Sequence, residues 1–185
     1  MIRMILPLII LATLSGCWSG DSFYTASDGV AAIPAGKYKL YAERGAPAYR
    51  DDDDFAYGEQ VKITYGADGR ALVENTSDGD ANSSILIKLG DAPGLYVVQA
   101  DLDARVPAIG SSLYALLQVT DRGYIIMVPR CDEKRLGNSR GVASGLLVGK
   151  PVCRFDNRAD LEEALLRYAE DPIRWTEYRA VEKRR

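Results

Sequence analysis

Through the middle of the chain, apolar and polar residues alternate with a period of two. In "VKITYGADGRALVE", residues 61–74, Val61, Ile63 and Tyr65 fall on one side and Lys62 and Thr64 on the other. The chain then turns at Ala67-Asp68-Gly69 and resumes with Ala71, Leu72 and Val73. Such alternation on both flanks of a short Asp-Gly turn predicts a β-hairpin. "ILIKLGDAPGLYVVQA" (85–100) and "LYALLQVTDRGYIIMVP" (113–129) repeat the plan, turning at Asp91-Ala92-Pro93-Gly94 and at Asp121-Arg122-Gly123. From Lys37 to Pro129 the pattern is an antiparallel β-meander.

The later strands are apolar on both sides. Tyr114 and Leu116 alternate with Leu113, Ala115 and Leu117, and Ile125 and Met127 alternate with Tyr124, Ile126 and Val128. Both faces therefore have to be covered. A barrel-like arrangement meets that need, and so does a helix packed on the sheet. A helix is available in "NRADLEEALLRYAEDP" (157–172). Asn157 can cap it, Asp160 and Glu163 suit its N-terminal half, and Leu161, Ala164, Leu165 and Tyr168 recur at i, i+3, i+4 and i+7 before Pro172. A second short helical turn through Trp175, Tyr178 and Val181 is expected to follow. The predicted fold class is mainly β (α+β): an antiparallel meander, barrel-like, with a C-terminal α-helix.

The N-terminal end has a different pattern. Arg3 precedes an apolar run from Ile5 to Leu14 interrupted by Pro7 and Thr13, and Ser15 and Gly16 are small. The run is shorter than the roughly 20 residues of a spanning helix and has the charge and size profile of a secretory signal. Leu14-Ser15-Gly16-Cys17 resembles the lipobox of bacterial lipoproteins. The resemblance implies a diacylglyceryl group on the Cys17 sulfur, cleavage before Cys17, and acylation of the new amino group. Two or three chains, at about 0.8 kcal/mol per buried CH₂, hold a protein to a bilayer where one does not. In sorted lipoproteins Asp after the cysteine favours the inner membrane; Trp18 in that place implies the outer membrane, facing the periplasm. Residues 18–35 hold Gly20, Asp21, Ser22, Ser27, Asp28, Gly29 and Pro34, with Phe23 and Tyr24 as the large apolar pair. That composition predicts a flexible tether. The expected organisation is a signal peptide over 1–16, lipid attachment and tether over 17–35, and one β-rich domain with its helix over 36–185.

Charge and cysteine content narrow the function classes. Removal of residues 1–16, which hold Arg3 and no acid, takes the net charge from −3 to −4 and leaves 169 residues. Nucleic-acid binders carry a basic footprint, so that partner class is set aside. The length suits one core. Besides Cys17 there are Cys131 and Cys153, and no histidine. In an oxidising compartment such a pair is expected to form a disulfide, with two buried thiols as the alternative. Closing a loop of this length adds about 3 kcal/mol of stability on the chain-entropy model.

Candidate chemistry is sparse. Without histidine there is no Ser-His-Asp or Cys-His arrangement and no common zinc site. "SGLLVGKP" approaches a phosphate loop, but three residues, not four, separate Gly145 from Gly149, and Pro151 replaces the Ser or Thr. Ser144 with Lys150 is too common a pairing to define a dyad. Asp78, Asp80 and Asn82 match the first ligands of a calcium loop, yet Ser83 replaces its glycine and Leu89 its glutamate. Asp51 to Asp54 form a solvated acidic run. The terminal Lys183, Arg184 and Arg185 suit a solvated tail or anionic headgroups. No metal, cofactor or catalytic residue is assigned, and no carboxylate pair can be placed face to face for glycoside hydrolysis.

What remains is aromatic richness. Tyr38, Tyr41, Tyr65, Tyr96, Tyr114 and Tyr124 sit on predicted strands, where tyrosine serves either a core or a binding face. The expectation is a non-catalytic envelope lipoprotein whose domain engages another envelope protein. The order meander-then-helix also resembles the lipocalins, which implies a carrier of a small apolar ligand. In Gly36-Lys37-Tyr38 a tyrosine stands where that family's first strand has tryptophan.

Overall fold

A computed structural model describes residues 18–42, 59–76, 79, 81–106, 110–120, 123–129, 131, 142–147, 150–170 and 177–183. Among the described residues the chain is mainly β with one α-helix, C-terminal, as the alternation predicts. The meander strands are β2 (Gly36–Ala42), β3 (Glu59–Tyr65), β4 (Ala71–Asn75), β5 (Ala81–Lys88), β6 (Leu95–Val106), β7 (Gly110–Thr120) and β8 (Gly123–Val128). Each pairs antiparallel with the next. The turns fall where Gly69, Gly94 and Gly123 supply positive φ, at 84°, 71° and 136°.

The remaining described elements are β1 (Trp18–Gly20), a 3-10 turn (Ala26–Asp28), β9 (Val142–Leu147), β10 (Lys150–Phe155), α1 (Arg158–Glu170) and β11 (Glu177–Lys183). All the described strands join one sheet in the order β6-β5-β4-β3-β2-β11-β8-β7-β1-β10-β9, with β6 also paired to β7. Because of that extra ladder, eight strands make a barrel-like ring of pairings. Strand β7 carries the branch. Tyr114 pairs with Gln99 on one edge and Trp18 on the other, while Leu116 pairs with Val97 and Met127. Strands β8 and β1 thus lie end to end along the same edge of β7.

Two apolar clusters explain why the later strands are apolar on both sides. One gathers Tyr38, Val61, Ile63, Leu86 and Leu117 with Tyr65, Val73, Tyr96, Val98, Tyr124 and Ile126, drawn from β2 through β8. This is the face turned into the ring, and Ile33 from the segment before β2 joins it. The other gathers Ile85, Ile87, Val97, Leu116 and Met127 from the opposite face of β5 to β8. It is covered by Trp18, Tyr24 and Phe155 and by Leu161, Ala164, Leu165 and Tyr168 of α1. Those four helix residues are the ones the 3.6-residue period selects, and all are buried. The Asn157 side chain accepts from the Asp160 amide at 3.0 Å, capping the helix as expected.

Two expectations are corrected. Residues 18–35 are not a free tether. Trp18 is 1% exposed in β1, between β7 and β10, and Tyr24 and Ile33 are buried. Small polar composition suggested slack, but Ser19 and Gly20 are small because the strand is enclosed: Ser19 is 0% exposed. Residues 177–183 are not helical but form β11, laddered to β2 on one side and β8 on the other. The ladder groups of two ring strands would otherwise have been left unpaired, and that demand overrides the three-residue spacing of Tyr178 and Val181. Trp175 lies outside the described residues.

A close backbone approach occurs where the end of β1 meets the start of β7. Gly110 has φ of 93°, and a Cβ there would stand 2.1 Å from the Gly20 carbonyl oxygen. Gly90 has φ of 52° but opens onto free space. Gly90→Ala therefore costs only the left-handed strain, about 1 kcal/mol. Gly110→Ala must also displace β1. Chemical denaturation of the two variants is expected to give a clearly larger loss for Gly110→Ala; equal losses would mean β1 is not seated as described.

Candidate functional site

The densest polar constellation among the described residues joins the N-terminal segment to the outer face of β6 and β7. Its centre is Gln99, a fully buried side chain on the same face as Val97. Its Oε1 accepts the Tyr24 amide at 3.1 Å and its Nε2 donates to the Tyr24 carbonyl at 3.1 Å, so one side chain pairs with a backbone unit as a strand would. Nε2 also donates to Asp101 at 3.0 Å.

Asp101 collects donors from four directions. Arg70 Nη1 lies 2.6 Å from Oδ2, and Ser112 Oγ and Ser22 Oγ lie 2.8 Å and 3.1 Å from Oδ1, beside Gln99. Partial burial pushes this carboxyl up, but the hydrogen bonds from Arg70, Ser112 and Ser22 and the Arg70 charge outweigh it. The net effect holds it below the usual carboxylate range. Next to it, the Tyr114 hydroxyl donates to the Asp21 carbonyl and accepts the Phe23 amide at 3.2 Å. The Phe23 and Tyr114 rings stack at 5.6 Å. Burial raises the Tyr114 hydroxyl well above the ordinary tyrosine range, so it stays a neutral donor.

A second group ties the same segment to the helix. The Tyr24 hydroxyl donates to Glu162 Oε1 at 2.9 Å, and Arg158 Nε donates to the same oxygen at 2.7 Å. The Arg158 guanidinium also covers the Tyr24 ring at 4.5 Å from its centroid. Burial, then the Glu162 hydrogen bond, raise the Tyr24 hydroxyl strongly. Asp28 accepts from the Thr25 amide and hydroxyl, both at 2.8 Å, and the bond from the amide is the main cause of its lowered pKa.

These groups are turned toward one another. Asp101 and Gln99 have their acceptors filled by the protein's own donors, and the tyrosines are held neutral. The arrangement clamps Asp21–Asp28 onto the sheet. Sequence reasoning passed over Gln99, Asp101, Ser112 and Ser22. The available signal was a glutamine on the same strand face as the apolar Val97, a position that asks for a buried partner.

The residues singled out from the sequence fall as follows. Cys131 and Cys153 have their sulfurs at bonding distance, with Cα atoms 5.1 Å apart, and Cys153 is the register partner of Trp18. Tyr38, Tyr65, Tyr96 and Tyr124 line the inner cluster; Tyr114 lies in the outer one. Tyr38 and Tyr65 donate from their hydroxyls to the carbonyls of Pro34 and Ile33, at 2.5 Å and 2.6 Å. The stretch that approaches a phosphate loop is a hairpin, with Ser144 opposite Cys153 and Lys150 opposite Leu147, so it has no loop-to-helix geometry. Cys17, Asp51–Asp54, Asp78 and Asp80 lie outside the described residues. Among the described residues no helix is long and apolar enough to cross a membrane. Compared with known family models, curated proteins and solved structures, the chain matches none.

The low pKa of Asp101 has a sign for stability. A carboxylate whose folded pKa is depressed stabilises above its unfolded pKa, and the contribution fades as pH falls through the folded value. Asp101→Asn is expected to lower the thermal midpoint at pH 7, with the gap to wild type closing below about pH 4. A gap that persists unchanged to pH 2.5 would contradict the network. Gln99→Ala leaves the Tyr24 backbone groups unpaired and is expected to cost about 1–3 kcal/mol by denaturant titration.

Proposed function

We propose that this protein is a lipoprotein of the bacterial cell envelope, anchored through acylated Cys17 in the outer membrane and facing the periplasm. Its one β-rich domain works without catalysis, by engaging another envelope protein. The observation that carries the reading is the adjacency of Leu14-Ser15-Gly16-Cys17 to Trp18: the first strand among the described residues begins one residue after the cysteine. The proposed cut before Cys17 leaves every described strand intact. A cysteine pair at bonding distance suits the oxidising side of a membrane. The clamp supports the non-catalytic reading because its acids and hydroxyls are occupied in holding the chain.

The ring of eight strands favours a second reading, a carrier of a small apolar ligand in the manner of the lipocalins. Its lining would include Tyr38, Tyr65, Tyr96 and Tyr124. The two readings differ in what accompanies the purified protein: a retained small molecule supports the carrier, and a crosslinked envelope protein supports the interaction domain.

Anchoring is tested by expressing the full chain in a bacterium with a radiolabelled fatty acid. Wild type is expected to incorporate label and sediment with outer-membrane vesicles. Cys17→Ser is expected to lose the label completely and become soluble. Equal labelling of both, or none in either, would overturn the reading.

A further inference from the structure

Past the clamp, the N-terminal segment changes character. Gly29 marks the boundary: a Cβ there would stand 3.0 Å from both the Ala26 carbonyl oxygen and Ile85 Cγ2, so the backbone up to that point is pressed against the sheet. Beyond it Ala31, Pro34 and Ala35 are exposed, and Val30 is 40% exposed. Pro34 has no amide to donate, so the β2 ladder cannot run back through it, and β2 starts at Gly36.

These residues cross one end of the ring. The connections from β3 to β4, from β5 to β6 and from β7 to β8 all lie at the end where β2 begins, because each strand is antiparallel to the next. Strand β4 pairs with β5 no further than Ser84, and just beyond it the Val30 amide donates to the Leu86 carbonyl at 2.7 Å. The chain then turns inward. Ile33 is 3% exposed and joins Tyr38, Ile63, Leu86 and Leu117 in the inner cluster. Its carbonyl accepts from the Tyr65 hydroxyl at 2.6 Å, and the Pro34 carbonyl accepts from the Tyr38 hydroxyl at 2.5 Å.

Three hydrogen bonds and one fully buried side chain therefore hold this strap to the ring. All three bonds sit at the ring's end, so water reaches the freed groups once the strap lifts, and release leaves no polar group buried without a partner. The bonds of Gln99 and Tyr114 to residues 21–24 are untouched by that movement. A segment with few buried apolar contacts and an exposed backbone opens locally, ahead of global unfolding.

We propose that Val30–Pro34 is a gate on the ring: it lifts as a unit and draws Ile33 out of the inner cluster, while β1, the clamp and the ladders stay formed. The cluster that Ile33 leaves is built of hydrocarbon and tyrosine rings, so the gate admits a small apolar molecule and not an ion. Admission of a ligand rests on the carrier reading given above; the opening itself does not, and it is measured without a ligand.

The test compares two neighbours on β7 that are both 0% exposed: Leu117 in the inner cluster and Leu116 in the outer one, under the helix. Leu117→Cys and Leu116→Cys are each made in the protein as the cell processes it, with the Cys131–Cys153 bond intact, and N-ethylmaleimide labelling of each site is followed by peptide mass. Both are repeated with Tyr38→Phe and Tyr65→Phe, which remove two of the strap's three bonds. Ile63→Cys, on the inner face of β3, replaces Leu117→Cys if that variant does not fold. The inner cysteine is expected to label faster than the outer one, and to gain about a further tenfold when the two hydroxyls are removed, with the outer cysteine unchanged. Equal rates at the two sites, or a rise at both together, would show that the inner face is reached only by general loosening and would overturn the gate. Selective labelling in a protein that retains no small molecule supports the gate and counts against the carrier alone.

Discussion

Three residues, Trp18 to Gly20, hold the architecture together. As a strand they pair antiparallel with β7 and parallel with β10, and so they are the only ladder among the described residues that joins the ring to the β9–β10 hairpin. A three-residue strand has little stability of its own, because each residue costs about 1–2 kcal/mol of backbone entropy to fix. What fixes it is tertiary: the Trp18 ring in an aromatic pocket, the disulfide on its partner strand, and the hydrogen bonds of Gln99, Asp101 and Tyr114 to the residues that follow. Remove that strand, and the outer face of β5 to β8 loses the cover that Trp18 and Phe155 provide.

The same constraint explains the placement of the helix. The central strands carry apolar side chains on both faces, so a ring alone would leave one face wet. The inner face is closed by the other ring strands. The outer face needs a separate layer, and α1 supplies it with the stripe Leu161, Ala164, Leu165 and Tyr168. Glu162 and Arg158, on the same helix, then hold Tyr24, so the layer that covers the core also secures the N-terminal segment.

Much of this was legible in the sequence. Period-two alternation around Asp-Gly and Pro-Gly turns located the hairpins, and a 3.6-residue stripe located α1, because both signals are local and repeat. The two cysteines left after Cys17 pointed to a bridge between positions 131 and 153. The tether and the last strand were not legible. Trp18-Ser19-Gly20 is too short to show a period, and within residues 18–35, which look like linker, Ser22 is bound to Asp101 and Ser112 and Tyr24 to Gln99 by contacts 75 or more positions apart in sequence. In β11 the spacing of Tyr178 and Val181 suits a helix, and the need of β2 and β8 for a ladder partner is visible only in three dimensions. Gln99 belongs to the same class, since its partners lie on the segment that composition assigns to solvent.

The most direct measurement is amide hydrogen exchange across Trp18 to Tyr24 in the mature protein with its disulfide intact. If this segment is an integral strand and clamp, its amides exchange as slowly as those of β7, opening only with global unfolding. Exchange at the rate of an unstructured chain, while β7 stays protected, would show that the segment is a tether after all and contradict the account.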